Sequence, residues 1–189
     1  MNSMMILVAE HDIILDALSL METVIELERN GIDIGDNTWQ VLVAFISDFA
    51  DDYHHVKEEI VLFPAYCNNG MNPEYGPIAV MMREHEEYRM FNSQMKEALT
   101  QGPPYGNSMW IPASRFIEHL RLHIAKENEI LFPMGNRMLD DIEEEKIIAK
   151  FNEIDASYSV NPCEYYRTVI SSLKKKMTSL TFQHDTILN

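Results

Sequence analysis

"HHVKEEIVLFP" (His54–Pro64) and "HIAKENEILFP" (His123–Pro133) are one phrase written twice, 69 positions apart. Six of the eleven positions are identical: a His, a Lys, a Glu and the closing Leu-Phe-Pro. The duplication reaches further upstream, where "AEHD" around His11 matches "REHE" around His85. Each half of the chain therefore reads Glu-His, a long gap, His-x-x-x-Glu, then Leu-Phe-Pro. A phrase of this length, repeated in register, asks for a structural unit used twice.

The units are helices. Apolar residues recur at helical spacing from about Ser3 to Asn30, then "NGIDIGDNT" interrupts the pattern. A second helix is expected from Asp36–Thr38, which offer N-caps, to about Pro64 or Tyr66. After the loop "NNGMNPEYGP" a third runs from about Ile78 to Gln101, and a fourth from about Ile111 to Met138. A shorter acidic helix covers roughly Asp140 to Ile154. No segment alternates with the period of two that marks a strand. The expected fold class is all-α: an antiparallel up-and-down four-helix bundle with a short extra helix and a C-terminal extension. The bundle is assigned to residues 1–155 and the extension to 156–189.

The repeated motifs put His11 on helix one, His54 and Glu58 on helix two, His85 on helix three, and His123 and Glu127 on helix four. Residues i and i+4 lie on one helix face, so each His-x-x-x-Glu pair reaches a single point inside the bundle. Burying four imidazoles and two carboxylates without compensation is costly, and a pair of metal ions compensates them. Nitrogen and oxygen donors without thiolate suit iron, manganese or zinc, and two iron ions are the expected cofactor. His55 and Glu59 offer a competing i, i+4 pair about 100° around the helix. Aligning the two Leu-Phe-Pro endings selects His54 and Glu58, because the second copy has Ile124 and Asn128 at the competing positions. His55 and Glu59 are then flanking residues, on the helix surface or behind the ligands.

"EHD", "HHVKEEIVLFP", "GPIAVMMREHEE" and "HIAKENEILFP", in that order, resemble the hemerythrin-like, or HHE cation-binding, domain family over roughly residues 1–150. The resemblance implies a four-helix bundle around a non-haem di-iron centre bridged by carboxylates. It carries over onto His11, His54, Glu58, His85, His123 and Glu127. The oxygen-carrying members resemble a pattern of five histidines that includes His-x-x-x-His in the third helix; here Arg89 follows His85 by one turn. His119, one turn before His123, is a candidate fifth imidazole from the fourth helix, outside the duplicated pattern because its counterpart is Ala50. The ferritin-like Glu-x-x-His signature is lacking, since Asp51 and Leu120 precede His54 and His123 by three.

Composition narrows the partners. A chain of 189 residues, 46% hydrophobic, fits one domain with an appendage. A net charge of -15 argues against nucleic acid or an anionic membrane. Cys67 and Cys163 form no CxxC pair and suggest reduced thiols in a cytoplasmic protein. No signal peptide is visible, and no stretch approaches the roughly 20 apolar residues of a transmembrane helix. The tail "NPCEYYRTVISSLKKKMTSL" reads as a helix with Tyr165, Val169, Leu173 and Met177 on one face, packed back on the bundle; the alternative is a homodimer contact or a docking arm for an acidic partner. Tyr88, three residues after His85, reads as a core or surface tyrosine, the alternative being a hydrogen bond to a bound ligand; the 13 methionines read as core filler and His184 as inert. Two functions follow. One is a di-iron protein that binds or senses oxygen, nitric oxide or iron. The other is an enzyme of peroxide or nitric-oxide chemistry or of iron–sulfur cluster repair.

Overall fold

A computed structural model describes residues 2–35 and 37–188, the side chains only as far as residue 183. Asp36 as a cap and the His184 side chain thus lie outside the described residues. The described chain is helical, with six helices. Helix α1 is Ser3–Arg29. Helix α2 runs over 38–68, from Thr38–Phe45 through π-helical Ile46–His55 and Lys57–Leu62 into Phe63–Asn68. Helix α3 is Pro77–Gln101. Helix α4 runs over 107–136, from Asn107–Lys126 through π-helical Glu127–Leu131 into Phe132–Asn136. Helices α5, Asp141–Ala156, and α6, Pro162–Leu188, complete the chain.

Local chemistry sets the ends. The Asn2 side chain caps α1 by accepting from the Met5 amide at 2.9 Å. At the other end Gly31 sits at φ +75°; its amide bonds Glu28 O, and that of Ile32 bonds Leu27 O. This two-bond ending needs a left-handed residue, which glycine supplies without a Cβ clash. The Leu-Phe-Pro motifs do not end their helices. Pro64 and Pro133 stand just after the π-helical turns, and the helices continue to Asn68 and Asn136. A proline lacks the amide donor and its ring crowds the carbonyl one turn back, so it is tolerated where the winding changes and that hydrogen bond is already lost.

The apolar core falls into two clusters. The larger takes Ile13–Leu27 positions of α1, Trp39 to Tyr53 of α2, Tyr88 to Ala98 of α3 and Met109 to Ile124 of α4. The smaller takes Leu7 of α1, Val61 to Tyr66 of α2, Ile78 and Met81 of α3, and Leu131 and Phe132 of α4, with Ile147 and Phe151 of α5. Near the junction of the two clusters each of the first four helices carries a repeated histidine. Helix α6 packs on α1 and adds Tyr166, Ile170 and Met177 to the larger cluster. Of the expected face, Met177 is buried, Val169 and Leu173 pack at the edge, and Tyr165 is exposed with its neighbour Tyr166 turned inward instead. Both cysteines are free. Among the described residues no helix is long and apolar enough to cross a membrane.

Candidate metal centre

His11, His54, Glu58, His85, His123 and Glu127 converge in the polar layer between the clusters, each no more than 1% exposed. Two sets of donor atoms lie within 4.8 Å of one another: His55, Glu58, His85 and His123 in one, and His11, His54, Glu58 and Glu127 in the other. Glu58 belongs to both. Its oxygens stand 3.5 Å from His54 Nε2 and 3.5 Å from His85 Nε2. Glu127 Oε2 stands 3.3 Å from His11 Nε2 and 3.2 Å from His123 Nε2.

The Nδ1 side of each repeated imidazole is held by the preceding helix in a closed circuit. Glu10 of α1 accepts from His54 Nδ1–H at 2.9 Å. Glu59 of α2 accepts from His85 Nδ1–H at 2.6 Å. Glu84 of α3 accepts from His123 Nδ1–H at 2.9 Å, and Asn128 Oδ1 of α4 accepts from His11 Nδ1–H at 2.8 Å. The sequence repeat thus appears as a two-fold pattern: Glu10 and Glu84 play one part, Glu59 and Asn128 the other. Lysines repeat it too, with Lys57 donating to Glu10 at 2.6 Å and Lys126 donating to Glu84. Each anchored Nδ1 fixes the tautomer that leaves an Nε2 lone pair facing the centre.

Electrostatics suit the binding of a cation. Burial drives the imidazoles of His54, His55 and His85 toward the neutral, metal-binding form, the latter two down to about 3. His123 goes the other way, to about 9, because Glu127 and Glu84 outweigh its burial. Burial disfavours the charged form of both carboxylates, Glu58 and Glu127. Glu58, facing Glu127 and Glu10, stays well above the usual range, whereas His123 and His11 pull Glu127 well below it. Both oxygens of Glu58 and of Glu127, and Nε2 of His11 and His55, are buried without a hydrogen-bond partner. His85 and His123 meet Nε2 to Nε2 at 3.1 Å. Two lone pairs at that separation repel unless a proton or metal ion lies with them. Neutral imidazoles and carboxylates without thiolate suit iron, manganese or zinc, and the residues present fit a pair of such ions.

His119 is not brought into the cluster. Its side chain is 44% exposed and pairs with Glu87 at 3.6 Å. Tyr88 is buried, as a core tyrosine should be, and donates to the backbone oxygen of His119. His55 is the residue that sequence alignment set aside: far from the helix surface, it is 2% exposed and stacks on His85 with ring centroids 3.8 Å apart. The alignment assumed α-helical rotation. The π-helical winding of 46–55 and 57–62 packs more residues into a turn, so neighbours such as His54 and His55 diverge by less than about 100° and both face inward. Only the adjacency of two histidines within the motif signalled this in the sequence.

A family model described as the hemerythrin HHE cation binding domain matches residues 4–135. Curated relatives include the iron–sulfur cluster repair protein YtfE of Escherichia coli O81 (strain ED1a), 34% identical over 86 residues. Proteins of the same name from Escherichia coli O1:K1 / APEC and from Escherichia fergusonii are 33% identical over 86 residues. Each alignment covers 42% of this chain and only 39% of the relative. No solved structure matches the chain.

Proposed function

The chain belongs to the hemerythrin HHE cation-binding family, and from that premise we propose that it is a non-haem di-iron protein that binds or senses a small ligand. The ions are held by His11, His54, Glu58, His85, His123 and Glu127. The observation that carries this reading is the pair of fully buried carboxylates with no hydrogen-bond partner on any oxygen, set among imidazoles whose outer nitrogens are already engaged. When bound, an iron pair supplies redox-active cations with coordination positions for dioxygen, nitric oxide or peroxide. The protein's part is to hold Glu58 and Glu127 between the two His sets, fix each tautomer and keep bulk water out of the layer. Manganese or zinc satisfies the same donors.

The bundle is proposed to run up and down, antiparallel. In its support, α1 and α3 pass from the smaller cluster to the larger, while α2 and α4 pass the other way. Residues 1–155 are taken as the metal-binding unit and 156–189 as its extension. The net charge of -15 disfavours nucleic acid and anionic membranes, and the two free thiols favour the cytoplasm. A second reading, enzymatic repair of iron–sulfur clusters, is favoured by the name of the relatives, which this chain matches over less than half of their length.

Anaerobic loading with ferrous iron should give about two iron ions per chain by elemental analysis. An optical spectrum that changes on exposure to dioxygen or nitric oxide, and returns when the gas is removed, supports binding. Irreversible oxidation with peroxide turnover, or restored activity of a damaged iron–sulfur enzyme, moves the assignment to the enzyme reading. One tightly bound zinc with no iron uptake defeats the di-iron proposal.

A further inference from the structure

We propose that His55 is a fifth imidazole ligand of the metal pair and that Arg89 is the positioning residue that holds it. This rests on the di-iron reading above. His55 Nε2 is buried without a partner, among donor atoms of Glu58, His85 and His123. A buried acceptor left unpaired carries a desolvation penalty that an ion at this point removes. The other ring nitrogen faces Asp51 Oδ1 at 3.4 Å.

Arg89 ties this side together. Its Nε donates to Asp51 Oδ1 at 2.9 Å, and its Nη2 donates to Glu59 Oε1 at 2.8 Å, the oxygen that also holds His85 Nδ1–H. One planar guanidinium therefore fixes the two carboxylates behind two stacked imidazoles, a task suited to the rigid donor fork of arginine. The arrangement exists on one side only. In the repeat, Asp51 corresponds to Leu120, His55 to Ile124 and Arg89 to Leu15, all apolar. The three polar residues thus occur together or not at all. They make the two sides of an otherwise symmetric site unlike: His55, His85 and His123 around one ion, His11 and His54 around the other.

The test compares iron-free and iron-loaded forms of His55→Leu with the wild type. Leucine removes the unpaired nitrogen while Arg89 keeps Asp51 satisfied, so the iron-free variant should melt no lower than the iron-free wild type. Iron content should drop from about two to about one per chain, and the rise in melting temperature on loading should shrink. His55→Gln, which keeps a polar group of similar reach, should also lose iron. Unchanged iron content and spectrum in both variants overturn the fifth ligand, as does loss of the iron-free fold in both. Arg89→Leu should weaken iron binding about 10–100-fold and shift the optical spectrum, with Arg89→Lys recovering part of the loss. An unaltered affinity and spectrum in Arg89→Leu overturn the positioning role. A wild type that takes up no iron pair defeats the di-iron reading itself, a result distinct from two irons retained in the His55 variants.

Discussion

Glu58 is buried against His54 and His85, while its neighbour Glu59 accepts from His85 Nδ1–H and from Arg89. Alignment of the repeats alone predicts that Glu58→Ala loses metal and Glu59→Ala is silent. The geometry changes the second half. Glu58→Ala removes a donor common to both sets and should lose at least one ion. Glu59→Ala releases the ring it anchors and should weaken binding about 10–100-fold while both ions still load at saturation. Iron titrations of the two variants, followed by elemental analysis, check this. Equal affinity of Glu59→Ala and wild type would show that Arg89 and stacking suffice to hold His85.

At the scale of helices, periodicity placed the elements within a few residues, because each of the first four buries an apolar stripe on both sides of its histidine. Helix α4 begins at Asn107, directly after Gly106 and earlier than the expected Ile111. Winding was the illegible part. Hydrophobic spacing does not distinguish a π-helical turn from an α-helical one when the strongest signal nearby is a polar motif. Helix α5 is capped by Asp140, which accepts from the Glu143 amide at 2.8 Å, and carries acidic residues in its first turn. Asp140→Ala should cost about 1 kcal/mol of stability, measured by urea unfolding, and leave iron content unchanged. A loss of iron would mean that α5 positions the site more tightly than its capping bond implies.

Over the whole molecule, the family match ends at residue 135, yet α5 contacts the groups behind the site. Lys57, 0% exposed, donates to Glu10 at 2.6 Å and to Tyr53 OH at 2.7 Å, and pairs with Asp155 of α5 at 2.7 Å. Tyr53 OH in turn donates to Asp155 at 2.8 Å. Glu10 is the group that anchors His54, so α5 places a carboxylate on a buried lysine one step behind that imidazole. Asp155→Ala should destabilise the protein by about 1–3 kcal/mol, because it leaves that ammonium and the tyrosine hydroxyl with fewer partners. Urea unfolding of the metal-free and loaded forms tests it. A change within about 0.5 kcal/mol, as at an ordinary surface site, would show that Glu10 and Tyr53 satisfy Lys57 alone.

The repeat by itself determined the helical class and the family, and it picked out six residues that the fold brings together. It could do so because i, i+4 spacing and a duplicated register are local properties of the chain. Tertiary structure decided the rest. Whether His55 or His119 faces the centre depends on the winding of α2 and on which face of α4 is covered, and neither is written in spacing. The partner of each Nδ1, the convergence of Arg89 on Asp51 and Glu59, and the bond from Asp155 to Lys57 join residues on different helices. Only packing brings such groups within hydrogen-bond reach, so no pattern along a single helix can announce them.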